Sequence, residues 1–159
     1  MQIEPGQLAV LTGGGTGIGR ALARQLAAAG VHVAMCDLSE AAMAESRAQA
    51  LAGAPAGTRV TTHVADVSNE AQVLAFRDAV LAQHGASHIH LLINNAGRGG
   101  GGAFVHGNRA DWERTFAVDW WGVYYNARAF LPLLVAAPTG CIVNVSSVNG
   151  FWASLGPDT

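Results

Sequence analysis

The sequence predicts an α/β fold, a doubly wound parallel sheet with helices on both faces. Three observations support this prediction. Short apolar runs alternate with longer segments of helical periodicity, several of the runs end in a polar residue, and a glycine-rich turn joins the first run to the first helix. Because crossovers between parallel strands are right-handed, we expect five visible strands in the order 3-2-1-4-5. No internal repeat or linker divides the chain.

The first half of the chain predicts three strands and the helices between them. Residues 8–12 form the first strand because they are almost all apolar, and a helix over residues 17–29 follows and is ended by a glycine. Residues 31–36 form the second strand. Ser39, a residue type that caps helices, then begins a helix that runs to about residue 52. After a loop with glycine and proline, residues 59–64 form the third strand.

The second half predicts two more strands. Ser68 caps a helix that runs to about residue 84 and has apolar residues on one face. Residues 90–94 form the fourth strand, and a glycine-rich loop leads from it to one long helix over residues 109–136. A Pro-Thr-Gly sequence breaks that helix before the fifth strand, which is expected at residues 141–145.

The composition and the apolar segments give no support for binding to nucleic acid or to a membrane. The chain has 159 residues, of which 50% are hydrophobic and 13% charged, and a net charge of −2, so nothing favours nucleic acid or an acidic membrane. The longest apolar region, residues 120–137, is interrupted by polar residues and a proline and predicts a buried helix rather than a membrane span. With no secretory signal and no cysteine motif, we expect a cytoplasmic protein in which Cys36 and Cys141 are buried and reduced.

The glycine-rich turn is the most specific pattern in the chain. Glycine lets a backbone turn tightly and lets a ligand approach where a Cβ would collide. The helix after the turn presents unpaired N–H groups and a partial positive charge, both of which favour a phosphate. Gly13, Gly17 and Gly19 have the spacing G-x-x-x-G-x-G rather than the common G-x-G-x-x-G. The turn therefore predicts an anion site, best filled by the pyrophosphate of a dinucleotide.

Asp37 ends the second strand, at the edge where open α/β sheets bind ligands. A carboxylate there can accept hydrogen bonds from both ribose hydroxyls of NAD and would repel the 2′-phosphate of NADP. No Lys or Arg lies within the turn or directly after Asp37 to offset that repulsion, so we expect NAD as cofactor, with NADP less favoured. The alternative is that Asp37 only supports the start of the next helix, beside Ser39.

Polar residues also follow the third and fourth strands. The carboxylate of Asp66, which precedes Val67, could accept from the exocyclic amine of adenine, or could cap the next helix, and the two roles are compatible. After the fourth strand, the paired amides of Asn94 and Asn95 can join neighbouring strands, and the small residues after them keep the backbone close to whatever crosses the strand ends.

These segments resemble, in order and spacing, successive motifs of the short-chain dehydrogenase/reductase family. The motifs are Thr12-Gly13-x-x-x-Gly17-Ile18-Gly19, Asp66-Val67, Asn94-Asn95-Ala96-Gly97 and Ile142-Val143-Asn144-Val145-Ser146-Ser147. The resemblance covers essentially the whole chain. It implies that residues 1–159 are a single, incomplete NAD(P)-binding Rossmann domain of an oxidoreductase that transfers a hydride between NAD(H) and an alcohol or carbonyl substrate. The cofactor-binding residues that it implies are Thr12, Gly13, Thr16, Gly17, Ile18, Gly19, Asp37, Leu38, Asp66, Val67, Asn95, Ala96 and Gly97.

The resemblance also implies part of a catalytic site. Ser147 matches the serine of the family that hydrogen-bonds the substrate oxygen, while strand alternation points Ser146 to the other face. The alternative is that these two serines only end the strand. Phe151 and Trp152 follow at the place where a substrate pocket would begin, and they indicate an apolar substrate.

Two features depart from the family pattern. The acid/base pair Tyr-x-x-x-Lys, which follows the serine in the family, does not occur before Thr159, and the sequence contains no lysine. Asp119 stands where the family usually has an asparagine that supports a water in the proton relay. An aspartate can still use its backbone carbonyl, although its charge would change the electrostatics of the relay. The alternative is a tolerated isosteric replacement.

We therefore expect a dehydrogenase cut short before its tyrosine and lysine, inactive as a 159-residue chain, and a homo-oligomer when full length. The alternative is a non-catalytic dinucleotide-binding module that acts as a sensor or scaffold. An unpaired fifth strand further predicts that the chain is poorly soluble or associates. The six histidines show no metal-binding spacing, so no metal site is expected.

Overall fold

The structure, a computed structural model, describes residues 2–100, 102 and 105–148. The elements in this part of the chain are β1 (Leu8–Thr12), α1 (Gly17–Ala28), β2 (His32–Asp37), α2 (Glu40–Ala52), β3 (Val60–Val64), α3 (Glu70–His84), β4 (Leu91–Asn94), α4 (Arg109–Phe116), a π-helical segment (Ala117–Trp121), α5 (Gly122–Val135) and β5 (Cys141–Asn144). The strands form one parallel sheet in the order β3-β2-β1-β4-β5, which confirms the predicted topology. Each predicted strand is confirmed to within one residue at either end.

The core lies in two apolar layers, one on each face of the sheet. Every residue of β1 is buried, and alternate side chains enter different layers. Val10 packs in the layer that includes α3 and α5, and Leu11 packs in the layer that includes α1 and α2. Since β1 is covered on both faces, its sequence shows no polar alternation. Phe130 of α5 is fully buried, and burial of a side chain of this size contributes roughly 1.5–3 kcal/mol to stability.

The helix predicted over residues 109–136 is not one regular α-helix. It is divided into α4 and α5 by the π-helical segment Ala117–Trp121, a turn with i→i+5 hydrogen bonds that holds one extra residue. The region around α5 is also less buried than the sequence predicted. Phe130 and Leu134 face the core, whereas Leu131 and Val135 are exposed. Among the described residues, the helices lack the combined length and apolarity that a bilayer crossing requires.

Two local predictions are wrong. Helix α3 is capped by Asn69, whose side-chain oxygen accepts from the Gln72 N–H at 3.2 Å, and not by Ser68. The Ser68 hydroxyl instead donates to Asp66 Oδ1 at 2.6 Å. Both cysteines are free, but only Cys36 is buried, because Cys141 lies half-exposed on the terminal strand β5. The predicted cap of α2 is confirmed, since Ser39 Oγ accepts from the Ala42 N–H at 3.2 Å.

Candidate functional site

A cleft of about 770 Å³ runs along the carboxyl ends of β1, β2, β3 and β4. In a parallel sheet the carboxyl ends of all strands lie on the same side, so residues far apart in sequence are brought together. Among the described residues, the predicted cofactor-binding set lines this cleft except for Thr12 and Gly19. The members that line it are Gly13, Thr16, Gly17, Ile18, Asp37, Leu38, Asp66, Val67, Asn95, Ala96 and Gly97.

The glycines of the turn have different roles. Gly13 and Gly19 allow close packing, because a Cβ on Gly13 would lie 2.8 Å from Ala96 Cα and one on Gly19 would lie 2.0 Å from the Gly13 carbonyl oxygen. Gly17 instead borders open space: a Cβ there would meet no described atom within 4 Å, and its φ of +51° favours glycine. A side chain at Gly17 would therefore project into the cleft.

The N-terminus of α1 opens into this cleft. Its N-cap residue, Thr16, makes no side-chain cap hydrogen bond among the described residues, and the first turn of α1 contains no acidic residue. By contrast, α2, α3 and α4 are each capped by a serine or asparagine side chain. The first-turn N–H groups of α1 and its partial positive charge are thus available to an anion in the cleft.

Asp37 lies beside the glycine-rich turn. Its Oδ2 accepts from the Gly15 N–H at 2.9 Å, and its Oδ1 accepts from the Ser39 N–H at 3.2 Å. The carboxylate therefore contacts both the turn and the segment that begins α2. Because each carboxylate oxygen can accept more than one hydrogen bond, both keep capacity for a ligand hydroxyl.

Asp66 lies across the cleft from the turn and does not cap α3. Its Oδ1 accepts from the N–H of Ser68 at 2.9 Å and from the Ser68 hydroxyl, while Asn69 provides the cap. The alternative role proposed from the sequence is therefore wrong. Val67 is buried, and a Cβ on Gly122 would lie 2.9 Å from Val67 Cγ2, so this glycine lets α5 approach the cleft closely.

The paired amides at the carboxyl end of β4, Asn94 and Asn95, join three strands. Asn95 Nδ2 donates to the carbonyl oxygens of Thr12 and Gly13 at 3.0 and 3.1 Å, and Asn94 Nδ2 donates to Asn144 Oδ1 at 2.8 Å. The buried Thr12 hydroxyl accepts from the N–H groups of Asn95 and Ala96, each at 3.0 Å. Thr12 thus lies beneath the cleft and fixes its floor rather than lining it.

Neither predicted catalytic residue is among the described residues that line the cleft, although Asp119 contacts one that does. Asp119 is exposed in the π-helical segment, and its Oδ1 accepts from the Arg98 N–H at 2.9 Å. Ser147 is exposed after β5. Phe151 and Trp152, from which an apolar substrate was inferred, lie outside the described residues.

Sequence reasoning missed several residues that line the cleft, namely Cys36, Ala65, Ser68, Arg98, Arg114, Ala117 and Val118. Arg114, Ala117 and Val118 are spaced i, i+3 and i+4, so helical periodicity could have identified them as one face. Arg114 and Arg98 share the carboxylate of Asp111, with 3.7 Å between Arg98 Nη2 and Asp111 Oδ1. The hydrogen bond from Arg114 lowers the pKa of Asp111.

Cys36 is not a nucleophile in this site. Burial, followed by the neighbouring charge of Asp37, raises the pKa of its thiol to about 12. The thiol is therefore neutral, and the thiolate is the reactive form of cysteine. No group of three His, Cys, Asp or Glu side chains among the described residues is placed to hold a metal ion.

Comparison with known proteins is consistent with this geometry. The family profile described as short chain dehydrogenase matches residues 7–156. The oxidoreductase SadH of Mycobacterium tuberculosis is 40% identical over 153 residues, which make up 95% of this chain and 53% of SadH. The chain thus spans about half the length of that relative.

Two solved structures have the same architecture. A short-chain dehydrogenase/reductase from Burkholderia phymatum, crystallised in complex with NAD, has a TM-score of 0.87 and 39% identity, and the match covers 96% of this chain and 53% of that chain. A metagenomic short-chain oxidoreductase in complex with NADP has a TM-score of 0.82 and 35% identity, with 92% and 64% coverage.

Proposed function

This chain belongs to the short-chain dehydrogenase family, and from that membership we propose that it binds NAD(H) as the cofactor-binding part of an oxidoreductase. The substrate class is an alcohol and its carbonyl counterpart. The observation that carries the proposal is the cleft itself, where the α1 N-terminus and the Asp37 carboxylate face the same space. The cofactor would give or accept the hydride at its nicotinamide ring.

The residues of the cleft fit a dinucleotide. The α1 N-terminus suits the diphosphate, since Gly17 leaves room and no side chain of the described residues competes for the N–H groups. Asp37 suits the adenosine ribose, and Asp66 with Val67 suits the adenine. The backbone of Asn95–Gly97, fixed from below by Thr12, suits the remaining half of the molecule.

The choice of NAD over NADP rests on Asp37. Two backbone N–H groups orient this carboxylate, so a 2′-phosphate would meet a fixed negative charge. The nearest arginine in sequence to the turn, Arg20, is already engaged by Glu45 with 2.8 Å between Nη1 and Oε1. Arg20 therefore offers a 2′-phosphate little compensation.

Two residues of this chain would have catalytic roles in the whole protein. Ser147 would hydrogen-bond the substrate oxygen, and Asp119 would serve the proton relay through its backbone carbonyl. A π turn supports the second role, because backbone carbonyls at such turns leave the regular helical hydrogen-bond ladder. Residues 1–159 contain no Tyr-x-x-x-Lys pair, so the family's acid/base groups are not among them. We also propose an apolar substrate. The non-catalytic alternative is not favoured, because the family profile that matches most of the chain is that of the short chain dehydrogenases.

Nucleotide titration tests the proposal. We expect NADH, followed by fluorescence, to bind more tightly than NADPH. Gly17→Val should weaken the binding of both by at least about tenfold, because the new side chain would occupy the diphosphate position. Gly85→Val is the matched control: Gly85 ends α3 away from the cleft, with a similar φ of +59° and the same open surroundings. Equal nucleotide affinity in the protein and its Gly17→Val variant would contradict the proposal.

A further inference from the structure

We propose that Arg20 and Ser46 are positioning residues for cofactor selectivity, because they hold Gly15 and, through it, the carboxylate of Asp37. The inference rests on the proposed function, since it concerns the ribose end of the same cleft. Neither residue lines that cleft, and neither was singled out by its sequence pattern.

Both backbone polar groups of Gly15 are bound by side chains. Its N–H donates to Asp37 Oδ2 at 2.9 Å. Its carbonyl oxygen accepts from Arg20 Nη2 at 2.8 Å, from Arg20 Nε at 3.1 Å and from Ser46 Oγ at 2.8 Å. Hydrogen bonds to a charged partner are the strong ones, and here an anion and a cation bind opposite ends of one glycine.

The arginine is itself fixed. Its Nε donates to Ser46 Oγ at 2.9 Å, and its two terminal nitrogens bind the two carboxylate oxygens of Glu45 at 2.8 and 3.0 Å. The Arg20 side chain is 22% exposed, and Ser46 is fully buried. The ion pair between Arg20 and Glu45 would by itself connect α1 to α2. The additional hydrogen bonds from Arg20 to Gly15 therefore indicate a second role for this arginine.

The contact between Gly15 and Asp37 leaves little freedom. A Cβ on Gly15 would lie 2.9 Å from Asp37 Oδ2 and 3.2 Å from the Ala42 Cβ. A shift of Gly15 would therefore move or release the carboxylate. A fixed carboxylate accepts ribose hydroxyls and repels a 2′-phosphate, whereas a released carboxylate can turn away from the phosphate. Arg20 and Ser46 thus increase the preference for NADH over NADPH through Asp37.

The dissociation constant of NADPH divided by that of NADH tests this role, because a high ratio means a preference for NADH. Arg20→Ala should lower the ratio by roughly five- to tenfold, and Ser46→Ala should lower it in the same direction by less, since one hydrogen bond to Gly15 is lost instead of two. Arg20→Lys, which keeps a donor and the charge, should retain part of the preference. Arg24→Ala is the matched control: it removes the same charge from an exposed position one turn further along α1 and should leave the ratio unchanged.

A double-mutant cycle separates positioning from a general loss of structure. In an Asp37→Asn background, Arg20→Ala should lower the ratio by less than about twofold, because the residue through which Arg20 acts is already changed. If the unsubstituted protein prefers NADH and Arg20→Ala weakens both nucleotides equally, this inference is wrong and the proposed function stands. If the unsubstituted protein binds neither nucleotide, the proposed function fails and the inference fails with it. Should Arg20→Ala not fold, Glu45→Gln is the milder variant: it leaves Arg20 in place but weakens the pair that fixes it, and it should lower the ratio in the same direction. An unchanged ratio would then contradict the inference.

Discussion

A single buried hydroxyl at Thr12 connects the first strand to the segment Asn95–Ala96, which forms the floor of the cleft. Its oxygen accepts from two consecutive N–H groups, those of Asn95 and Ala96, after the end of β4. These two N–H groups lie beyond the residues at which β1 and β4 pair, so the hydroxyl holds this backbone where the sheet no longer does. A small side chain thereby holds the backbone of Asn95 and Ala96 against the end of β1.

Replacing Thr12 by valine tests the importance of this hydroxyl. Valine has nearly the same shape and β propensity but cannot accept a hydrogen bond, so two buried N–H groups would lose their partner. We expect Thr12→Val to lower the free energy of unfolding by about 2 kcal/mol, measured by urea denaturation. Thr62→Val, at a half-buried position of β3, is the matched control and should change stability by less than about 0.5 kcal/mol. Equal losses in the two variants would mean that the Thr12 hydroxyl has no special role.

At the scale of elements, the last turn of α3 packs on the edge strand β3 through a buried histidine. His84 Nε2 and Thr61 Oγ1 are 2.9 Å apart, and the His84 carbonyl accepts from Arg59 at 2.9 Å. His84 Nδ1 is buried without a hydrogen-bond partner among the described residues. Burial, and then the positive charges of Arg59, His32 and His63, lower the pKa of His84 to about 4.

This shift predicts that the protein loses stability in mild acid. His84 takes up a proton near its ordinary pKa of 6.5 when the chain is unfolded, but only near 4 when it is folded. Its contribution is therefore complete above pH 6.5 and decreases as the pH falls towards 4. Between about pH 7.5 and 5 we expect a loss of about 2 kcal/mol from this residue.

Urea denaturation at the two pH values measures the effect. His84→Gln should flatten the dependence on pH, whereas replacement of the exposed His106 by glutamine should leave it unchanged. Some dependence should remain in His84→Gln, because burial also lowers the pKa values of His32, His63 and His90. If His84→Gln kept the full dependence on pH, the linkage to His84 would be wrong.

The elements show which features a sequence determines locally. The strands could be predicted because a strand buried on both faces, such as β1, has a continuous apolar run with a turn on either side. Residues at or directly after strand ends, such as Asp37 and Asn95, could be assigned to the cleft because parallel topology brings those ends together. The pattern did not distinguish Ser68 from Asn69 as the cap of α3, since both are favourable and the choice depends on the hydrogen bond of Ser68 to Asp66.

Features that depend on tertiary contacts were missed for a related reason. The extra residue in the π-helical segment shifts the phase of the apolar pattern without interrupting it. The sequence therefore predicts one continuous buried helix where the structure has two helices. Arginine is common on the surfaces of helices, so nothing in the sequence distinguishes Arg20. Its contact with Gly15 forms only when α1 and α2 pack together. Such contacts join residues whose sequence separation carries no local signal.

At the scale of the whole molecule, the β5 end of the sheet and the helices beside it expose apolar surface. β5 is the terminal strand of the sheet in the described part of the chain, and its Val143 is 42% exposed. The neighbouring helical region exposes Trp120, Leu131 and Val135. A terminal strand presents unpaired backbone groups that can pair with another chain, and apolar side chains strengthen such pairing.

We therefore expect the 159-residue chain to associate, with the edge of β5 as the contact. Light scattering coupled to size-exclusion chromatography should give a mass of at least twice the 16.4 kDa of the single chain. Val143→Lys should shift the protein towards the monomer, since a charge on an edge strand opposes further pairing. Val135→Lys is the comparison variant, because it also replaces an exposed valine by lysine but lies at the end of α5 rather than on the strand. Dissociation by Val135→Lys alone would assign the contact to the helical face instead, and a monomeric unsubstituted protein would show that the open edge is tolerated without a partner.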